Sequence, residues 1–134
     1  MSKSKHAEIV VVGAGPGGYA AAFRAADLGR QVLLIDRDKE LGGVCLNRGC
    51  IPSKALLHIA KTMTDVTHLS SMGVTYGEPD INLEIIRTHK DKMIAQLNGG
   101  ISQLAQARKV ETIEGTAIFV SNSELSIKTD ASTF

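Results

Sequence analysis

The N-terminal region alternates short apolar runs with glycine-bounded segments, a pattern that predicts a strand, a helix and a second strand. Residues 8 to 12, EIVVV, are rich in β-branched side chains and end at a glycine, which predicts a buried strand. Residues 17 to 29 have the alanine content of a close-packed helix that Gly29 closes. Residues 31 to 36, QVLLID, predict a second buried strand. Because parallel strands need a helical crossover, these segments predict a βαβ unit.

The rest of the chain is predicted to be helical first and strand-rich afterwards. Residues 53 to 66 have a helical pattern, and a connection rich in Ser, Gly, Pro and Asp follows. Apolar side chains at intervals of three, four and seven then predict one apolar face of a long helix: Leu83, Ile86, Met93, Leu97, Ile101 and Leu104. Gly99 and Gly100 interrupt this pattern and predict a kink or a close packing contact. Residues 109 to 130 predict short strands around the turn Ser-Asn-Ser.

These elements fit one domain, because 134 residues are enough to bury a single modest core. The predicted fold class is α/β: a Rossmann-like βαβ unit with a parallel sheet, a helical segment around the cysteines, a long helix and a small antiparallel strand extension. Residues 1 to 7 are expected to form a disordered tail.

Charge and composition exclude several classes of partner. The net charge of +1, without a long basic block, argues against nucleic acid or an anionic membrane as the main partner. The apolar run after Lys3 and Lys5 loosely resembles a secretory signal, but Glu8 and several glycines interrupt it. No segment reaches the roughly 18 uninterrupted apolar residues of a membrane span. We therefore expect a soluble, cytoplasmic protein.

A glycine-rich loop lies between the first predicted strand and the helix. Residues 13 to 18, GAGPGG, match the G-x-G-x-x-G pattern of dinucleotide-binding proteins. In such loops the first glycine permits a tight turn, the second lets a pyrophosphate approach, and the third lets helix and strand pack closely. Free amides at the helix start would face the phosphates. The candidate cofactor-binding residues of this loop are Gly13, Gly15, Pro16, Gly17 and Gly18.

The second predicted strand ends in Asp36, 18 positions after Gly18, where a carboxylate would accept hydrogen bonds from a ribose. An acid at this position disfavours the 2′-phosphate of NADP. The loop therefore indicates either NAD or the ADP half of FAD and does not distinguish between them. A glycine-rich turn without a ligand is the alternative, but the strand, helix, second strand and acid in register favour dinucleotide binding.

The two cysteines of the chain, Cys45 and Cys50, lie five positions apart in the stretch GGVCLNRGCIPSK. Structural zinc needs about four ligands, whereas the chain has no second cysteine pair and no compact histidine spacing, so we expect no metal. A structural disulfide of a secreted protein conflicts with the expected cytoplasmic location. Two unrelated buried thiols or a redox pair remain, and we favour the redox pair.

The spacing of the two cysteines requires a special local shape if they bond. Five residues of regular helix place the two Cα atoms roughly 8.6 Å apart, whereas a disulfide tolerates less than about 7 Å. Gly49 would let the backbone distort, and Pro52 suits the first turn of the helix that follows. A thiolate near that helix start would have its pKa lowered by unpaired amides.

The stretches AEIVVVGAGPGGYAAAFRAADLG and GGVCLNRGCIPSKALL together resemble the dihydrolipoamide dehydrogenase family of flavin-dependent disulfide oxidoreductases. The resemblance extends from about residue 7 to the end of the chain, and the Leu-Asn and Ile-Pro-Ser-Lys context of the cysteines is highly specific. Glutathione and mercuric reductases are similar, but residues 53 to 57, SKALL, are closer to the lipoamide branch. The resemblance implies that the bound dinucleotide is FAD and that NAD is the co-substrate of the complete enzyme.

The resemblance also implies roles for individual residues. Cys45 would exchange with the substrate dithiol, and Cys50 would lie against the flavin and form the charge-transfer thiolate. Lys54 would lie near a flavin ring nitrogen, although a solvated lysine in a first helical turn is the simpler alternative. The segment from Asp36 to Cys45 would line the adenosine and pyrophosphate, and backbone near residue 115 would meet the adenine. The further cofactor-binding candidates are Arg37, Gly42, Gly43, Val44, Gly115, Thr116 and Ala117.

Three residues depart from the family pattern. Asp36 stands where Glu is more frequent, which shortens its reach to the ribose. Val44 replaces a frequent threonine and so removes one hydroxyl contact. Ala117 stands where Gly is common, which is tolerable if the contact is made through the backbone.

The resemblance implies that the chain, residues 1 to 134, is the N-terminal portion of an FAD-binding domain. The complete homodimeric enzyme would oxidise dihydrolipoamide on the lipoyl domains of 2-oxoacid dehydrogenase complexes. The second FAD segment, the NAD domain, the dimerisation segment and the His-Glu base are expected to be absent, so the isolated chain is expected to be inactive. The alternatives are a fragment of a glutathione- or mercuric-type reductase and a non-catalytic FAD-binding module.

Overall fold

A computed structural model of the chain describes residues 4–129. Its elements are β1 (Ile9–Val12), α1 (Pro16–Asp27), β2 (Val32–Asp36), α2 (Gly43–Arg48), α3 (Cys50–His68), a 3-10 turn (Leu69–Met72), α4 (Leu83–Ala107), β3 (Glu111–Glu114), β4 (Thr116–Phe119) and β5 (Leu125–Lys128). The predicted α/β class and the βαβ unit are confirmed. Gly29 follows the end of α1 with a φ of 79°, so it closes this helix as predicted.

Three parallel strands form the sheet in the order β1-β2-β3, and β4 pairs with β5 in a separate antiparallel hairpin. Val11 aligns with Leu34 across β1 and β2, and Ile35 aligns with Ile113 across β2 and β3. The predicted antiparallel extension is therefore confirmed, although residue 130 of the predicted segment lies outside the described residues.

The central strand β2 is buried on both faces, as its continuous apolar run predicts. Val32 and Leu34 point into a cluster formed with α1 and α4. Leu33 and Ile35 point to the opposite face, where the β4–β5 hairpin contributes Ile127. The domain thus has three layers: helices, the sheet and the β4–β5 hairpin. Side chains of β2 alternate between the two faces of the sheet, so every second residue enters the same core.

The prediction that β1 is buried is wrong. Ile9, Val10 and Val12 are 36%, 37% and 51% exposed. The reason is the strand's position: β1 lies at an edge of the sheet and pairs with β2 alone among residues 4–129. Runs of β-branched residues predict a strand, but they do not identify its neighbours.

The long helix α4 is confirmed, but its predicted buried face is rotated. Asn98 and Ala105 are the buried positions, whereas Leu83, Met93, Leu97 and Leu104 of the predicted face are exposed. Ile86 and Ile101 of that face are half-buried, and Ile101 packs against the core. The helix continues through Gly99 and Gly100, and a Cβ at either position would meet nothing within 4 Å. The predicted close packing contact at these glycines is therefore wrong.

The N-terminal segment makes two contacts with the sheet. Lys5 forms an exposed ion pair with Glu111, and Ala7 packs against the cluster of Leu33, Ile35 and Ile127. Residues 1–3 of the expected disordered tail lie outside the described residues. Within residues 4–129, no helix is both long and apolar enough to span a membrane.

Candidate functional site

The glycine loop makes a tight turn between β1 and α1. Gly13 has a φ of 99°, and its amide donates a hydrogen bond to the carbonyl oxygen of Ile35 (2.7 Å). A Cβ at Gly18 would overlap the carbonyl oxygen of Gly13, whereas a Cβ at Gly15 would meet nothing within 4 Å. The first turn of α1 therefore packs directly on the loop at Gly18, and open space remains in front of Gly15.

The start of α1 presents free backbone donors. The N-cap residue is Gly15, which provides no side-chain cap, and Pro16 is the first helical residue. The amides of the first turn therefore lack intrahelical acceptors and carry the positive end of the helix dipole. Such a helix start can bind the phosphates of a nucleotide.

The carboxylate of Asp36, at the end of β2, already has two backbone partners. Its Oδ2 accepts a hydrogen bond from the amide of Ala14 (2.5 Å), and its Oδ1 accepts one from the amide of Asp38 (2.8 Å). An ionised carboxylate can accept about four hydrogen bonds, so capacity for further donors remains. The residue predicted to contact a ribose thus also fixes the glycine loop, a role that sequence reasoning missed.

A cleft of about 200 Å³ lies at the carboxyl ends of β2 and β3. Its lining consists of Leu34, Asp36, Asp38, Lys39, Leu41, Thr112, Ile113 and Glu114. In parallel α/β sheets, ligands bind outside the carboxyl ends of the strands, which is where this cleft lies. Asp38, Lys39 and Leu41 lie in the segment from Asp36 to Cys45 that the family resemblance assigned to the adenosine and pyrophosphate, whereas sequence reasoning did not single out Thr112, Ile113 or Glu114.

Four other predicted cofactor residues do not line this cleft: Arg37, Gly115, Thr116 and Ala117. The amide of Gly115 donates a hydrogen bond to the carbonyl oxygen of Asp36 (2.7 Å), which connects the start of β4 to the end of β2. Thr116 is exposed, and Ala117 packs into the cluster under the sheet. Arg37 is exposed and does not line the cleft.

Two consecutive glycines bring the cysteine segment onto the glycine loop. Gly42 and Gly43 have φ values of 106° and 61°, a conformation that other residues rarely adopt. The amide of Gly42 donates a hydrogen bond to the carbonyl oxygen of Ala14 (2.8 Å). A Cβ at Gly43 would lie 2.7 Å from the Cα of Gly15, so the two backbones touch. The structure therefore joins two motifs that are about 30 residues apart in sequence.

The helix is interrupted between the two cysteines. The first helix, α2, ends at Arg48, and α3 begins at Cys50, with Gly49 between them at φ −126° and ψ −101°. Pro52 lies in the first turn of α3, as predicted. The sequence also predicts that the backbone can distort at Gly49.

The two cysteines are free thiols. A hydrogen bond with the side chain of Cys50 is the main cause that raises the pKa of Cys45, and burial of Cys45 adds to it. The neighbouring Cys50 therefore favours the protonated form of Cys45. Cys45 is half-buried and Cys50 is exposed, so the pair is reachable from solvent.

Two asparagines that sequence reasoning missed support the cysteine segment. Asn98 of α4 is 7% exposed, and its Nδ2 donates a hydrogen bond to Asn47 Oδ1 (2.8 Å). Asn47 Nδ2 in turn donates to the carbonyl oxygens of Gly43 (3.0 Å) and Leu41 (3.3 Å). A signal was present in the sequence, because Asn98 is a polar residue between the apolar positions 94 and 101 of an amphipathic helix.

The remaining predicted site residues lie on the surface. Lys54 is exposed in the first turn of α3, and Val44 is 61% exposed on α2. Arg48, at the end of α2, forms an exposed ion pair with Asp38 beside the cleft. Exposed pairs of this kind contribute little to stability, but this one connects the cysteine segment with the cleft.

These observations define a class: an α/β protein with a dinucleotide-type glycine loop, on which the glycine pair that precedes two neighbouring cysteines is packed. Comparison with known proteins gives the family. The model of the pyridine nucleotide-disulphide oxidoreductases matches residues 7–132, and the chain belongs to this family.

Several curated relatives are similar to the chain. It is 49% identical to the dihydrolipoyl dehydrogenase of Haemophilus influenzae over 93% of the chain and 26% of the relative. The dihydrolipoyl dehydrogenase of Vibrio cholerae is 50% identical over 89% of the chain and 25% of the relative. That of Staphylococcus aureus is 41% identical over 93% of the chain and 26% of the relative. The chain therefore spans about a quarter of the length of these relatives.

Proposed function

We propose that the chain is the N-terminal part of the FAD-binding domain of an enzyme that oxidises dihydrolipoamide and reduces NAD. The observation that carries this proposal is the placement of the segment with both cysteines on the glycine loop, through the contact of Gly43 with Gly15. A thiol pair placed next to a dinucleotide site can pass electrons between a substrate dithiol and that dinucleotide. The identity of about 50% to dihydrolipoyl dehydrogenases supports dithiol oxidation over glutathione or mercury chemistry.

The residues present fit a bound dinucleotide such as FAD. The open space in front of Gly15 and the uncapped start of α1 suit a pyrophosphate. The cleft beside Asp36 suits the adenosine, because the carboxylate has capacity for ribose hydroxyls. When bound, the flavin would take the electron pair from the reduced cysteines and deliver it to NAD.

The two cysteines would act in different steps of disulfide exchange. In the oxidised pair, a thiolate of dihydrolipoamide attacks the Sγ of Cys45, the Cys45–Cys50 bond breaks, and Cys50 leaves as a thiolate. The second substrate thiol then attacks the substrate sulfur of the mixed disulfide and displaces Cys45. Lipoamide is released as a disulfide, Cys45 keeps one proton and the second proton goes to solvent. The raised pKa of Cys45 supports the proposal that Cys45 is the cysteine that keeps a proton.

The proposal extends to the partners of the complete protein. Dihydrolipoamide is carried by lipoyl domains, so lipoyl domains of 2-oxoacid dehydrogenase complexes are the proposed partners. A cytoplasmic homodimer is the proposed form. Because the chain spans about a quarter of its relatives, the isolated 134 residues are proposed to lack turnover.

The test is a steady-state assay on the longest natural form of the protein that contains this chain. We expect bound flavin at one equivalent per chain and reduction of NAD by dihydrolipoamide, with no turnover by the isolated chain. Turnover of glutathione disulfide or mercuric ion instead of dihydrolipoamide would reassign the enzyme to another branch. Flavin binding without any dithiol turnover would favour a non-catalytic module.

A further inference from the structure

The short helix α2 is bounded by glycines at both of its ends. It follows two glycines in the left-handed region and has no side-chain cap, and it ends at Gly49. Its apolar anchor is Leu46, which is 6% exposed. A helix of six residues between glycines does not hold a fixed orientation by its own hydrogen bonds. Cys45 lies in this helix, so its orientation determines where the thiol points.

The polar anchor of α2 is Asn47. Its amide group donates to the carbonyl oxygens of Leu41 and Gly43, on both sides of the Gly42 turn. These hydrogen bonds need the Nδ2 side of the amide to face the turn. The Oδ1 of Asn47 must then face away from the turn, and it meets the Nδ2 of Asn98, 51 positions further along the chain.

Asn98 has a feature that stability alone does not explain. Its Oδ1 is buried and has no hydrogen-bond partner in the part of the chain that the structure describes. A buried amide oxygen without a donor is unfavourable, so an apolar residue at this position would avoid that cost. What Asn98 supplies that an apolar residue cannot supply is a donor directed at Asn47 Oδ1.

We infer that Asn98 is a positioning residue for the thiol pair: it ties Asn47, and with it the helix α2 that carries Cys45, to α4. With this donor removed, Asn47 keeps its hydrogen bonds to Leu41 and Gly43, but its Oδ1 loses the partner on α4. The helix α2 then has no side-chain hydrogen bond to α4 among the described residues. The expected consequence is a less well-defined Cys45 position and a weaker tendency of the pair to form its disulfide.

The test measures the disulfide equilibrium of the pair in Asn98→Leu, which has the same number of side-chain heavy atoms, the same branching at Cγ and no donor. The longest natural form of the protein is equilibrated in glutathione buffers of graded potential, quenched with iodoacetamide and digested with trypsin. Cleavage after Lys39, Arg48 and Lys54 places Cys45 in residues 40–48 and Cys50 in residues 49–54. The linked peptide pair and the two alkylated peptides therefore report the oxidised and reduced fractions directly.

We expect Asn98→Leu to lower the equilibrium constant for disulfide formation roughly three- to tenfold, the effect of one lost hydrogen bond. The matched control is Gln96→Leu, the same type of replacement at an exposed position of α4, which should leave the equilibrium unchanged. An equilibrium in Asn98→Leu equal to that of the wild type would overturn the inference.

A second comparison tests the route through Asn47. The double variant Asn47→Leu/Asn98→Leu removes both side-chain amides. If Asn98 acts through Asn47, the double variant should differ from Asn47→Leu alone by less than Asn98→Leu differs from the wild type. Additive effects of the two substitutions would contradict the proposed route through Asn47.

The inference rests on the proposed function, because it concerns the same thiol pair, and the two can fail separately. If the wild-type pair forms no disulfide at any glutathione potential, the redox function fails and the inference fails with it. If the wild type forms the disulfide and Asn98→Leu behaves identically, the inference alone is wrong.

Discussion

The carboxylate of Asp36 accepts a hydrogen bond from the backbone amide of Ala14 at 2.5 Å, 22 residues earlier in the chain. The end of β2 therefore holds the centre of the glycine loop in place before any ligand is bound. The carbonyl oxygen of Ala14 accepts from Gly42, so the same loop residue also anchors the cysteine segment. The glycine loop, the strand-end acid and the thiol segment are thus connected through one residue.

Replacement of Asp36 should weaken flavin retention. Asp36→Ala removes the acceptor for Ala14 and the proposed acceptor for the ribose. Hydrogen bonds to a charged group contribute about 1.5–3 kcal/mol, so FAD affinity should fall roughly ten- to hundredfold. Flavin dissociation is measured by fluorescence in the longest natural form, with Asp80→Ala at an exposed position as the control. Unchanged affinity in Asp36→Ala would show that the carboxylate has no part in binding.

Replacement of two neighbouring glycines by alanine should change the free energy of unfolding in opposite directions. Gly18→Ala places a methyl group against the carbonyl oxygen of Gly13, and overpacking of this kind destabilises by roughly 1–3 kcal/mol. Gly17→Ala adds a methyl group in open space within α1, where alanine is about 1 kcal/mol better than glycine. Urea unfolding of both variants gives the two free energies of unfolding. Equal stability of the variants would contradict the close packing at Gly18.

The reactivity of Cys45 should depend on Cys50. The pKa of Cys45 is raised mainly by a hydrogen bond with the Cys50 side chain and further by burial, so its thiolate forms only at higher pH than that of an ordinary cysteine. In Cys50→Ala this interaction is lost, and the alkylation rate of Cys45 should rise at lower pH than in the wild type. Rates are followed on residues 40–48 of the reduced protein by mass spectrometry. An identical pH profile in both proteins would argue that the thiols do not interact.

The two serine variants should give different flavin spectra. Cys45→Ser leaves Cys50 as the sulfur that the family resemblance places against the flavin, and its thiolate should give a long-wavelength absorbance without reductant. Cys50→Ser removes that sulfur, so the absorbance should be absent at matched flavin content. The reverse pattern would exchange the roles of the two cysteines. Both variants should lose disulfide turnover, because exchange needs an attacking and a resolving thiol.

The sequence predicted the fold well where local patterns decide the structure. The apolar run of β2 and the alanine-rich α1 were assigned correctly because their burial follows from strand and helix periodicity. The break at Gly49 also agrees with the sequence, since the spacing of the cysteines does not allow a regular helix if they bond.

The sequence failed where burial depends on distant partners. The exposure of β1 follows from its edge position, which no local pattern reveals. The buried face of α4 includes Asn98, which donates a hydrogen bond to Asn47 of α2. A prediction from hydrophobic periodicity leaves this position out, because Asn98 is polar. The bond from Ala14 to Asp36 was missed for the same reason, because strand-end acids look alike in sequence whether or not they hold a loop.

The central claim is that Cys45 and Cys50 form a redox disulfide that a dihydrolipoyl substrate reduces. The most direct measurement starts from the oxidised, flavin-containing natural protein, adds two equivalents of dihydrolipoamide without oxygen or NAD, and traps thiols with iodoacetamide. Two electron pairs suffice to reduce both the flavin and the disulfide. The account predicts that the linked peptides 40–48 and 49–54 disappear and that both cysteines become alkylated, while four equivalents of glutathione, the same amount of thiol, have little effect. Persistence of the linked peptides in dihydrolipoamide, or their equal loss in glutathione, would contradict the account.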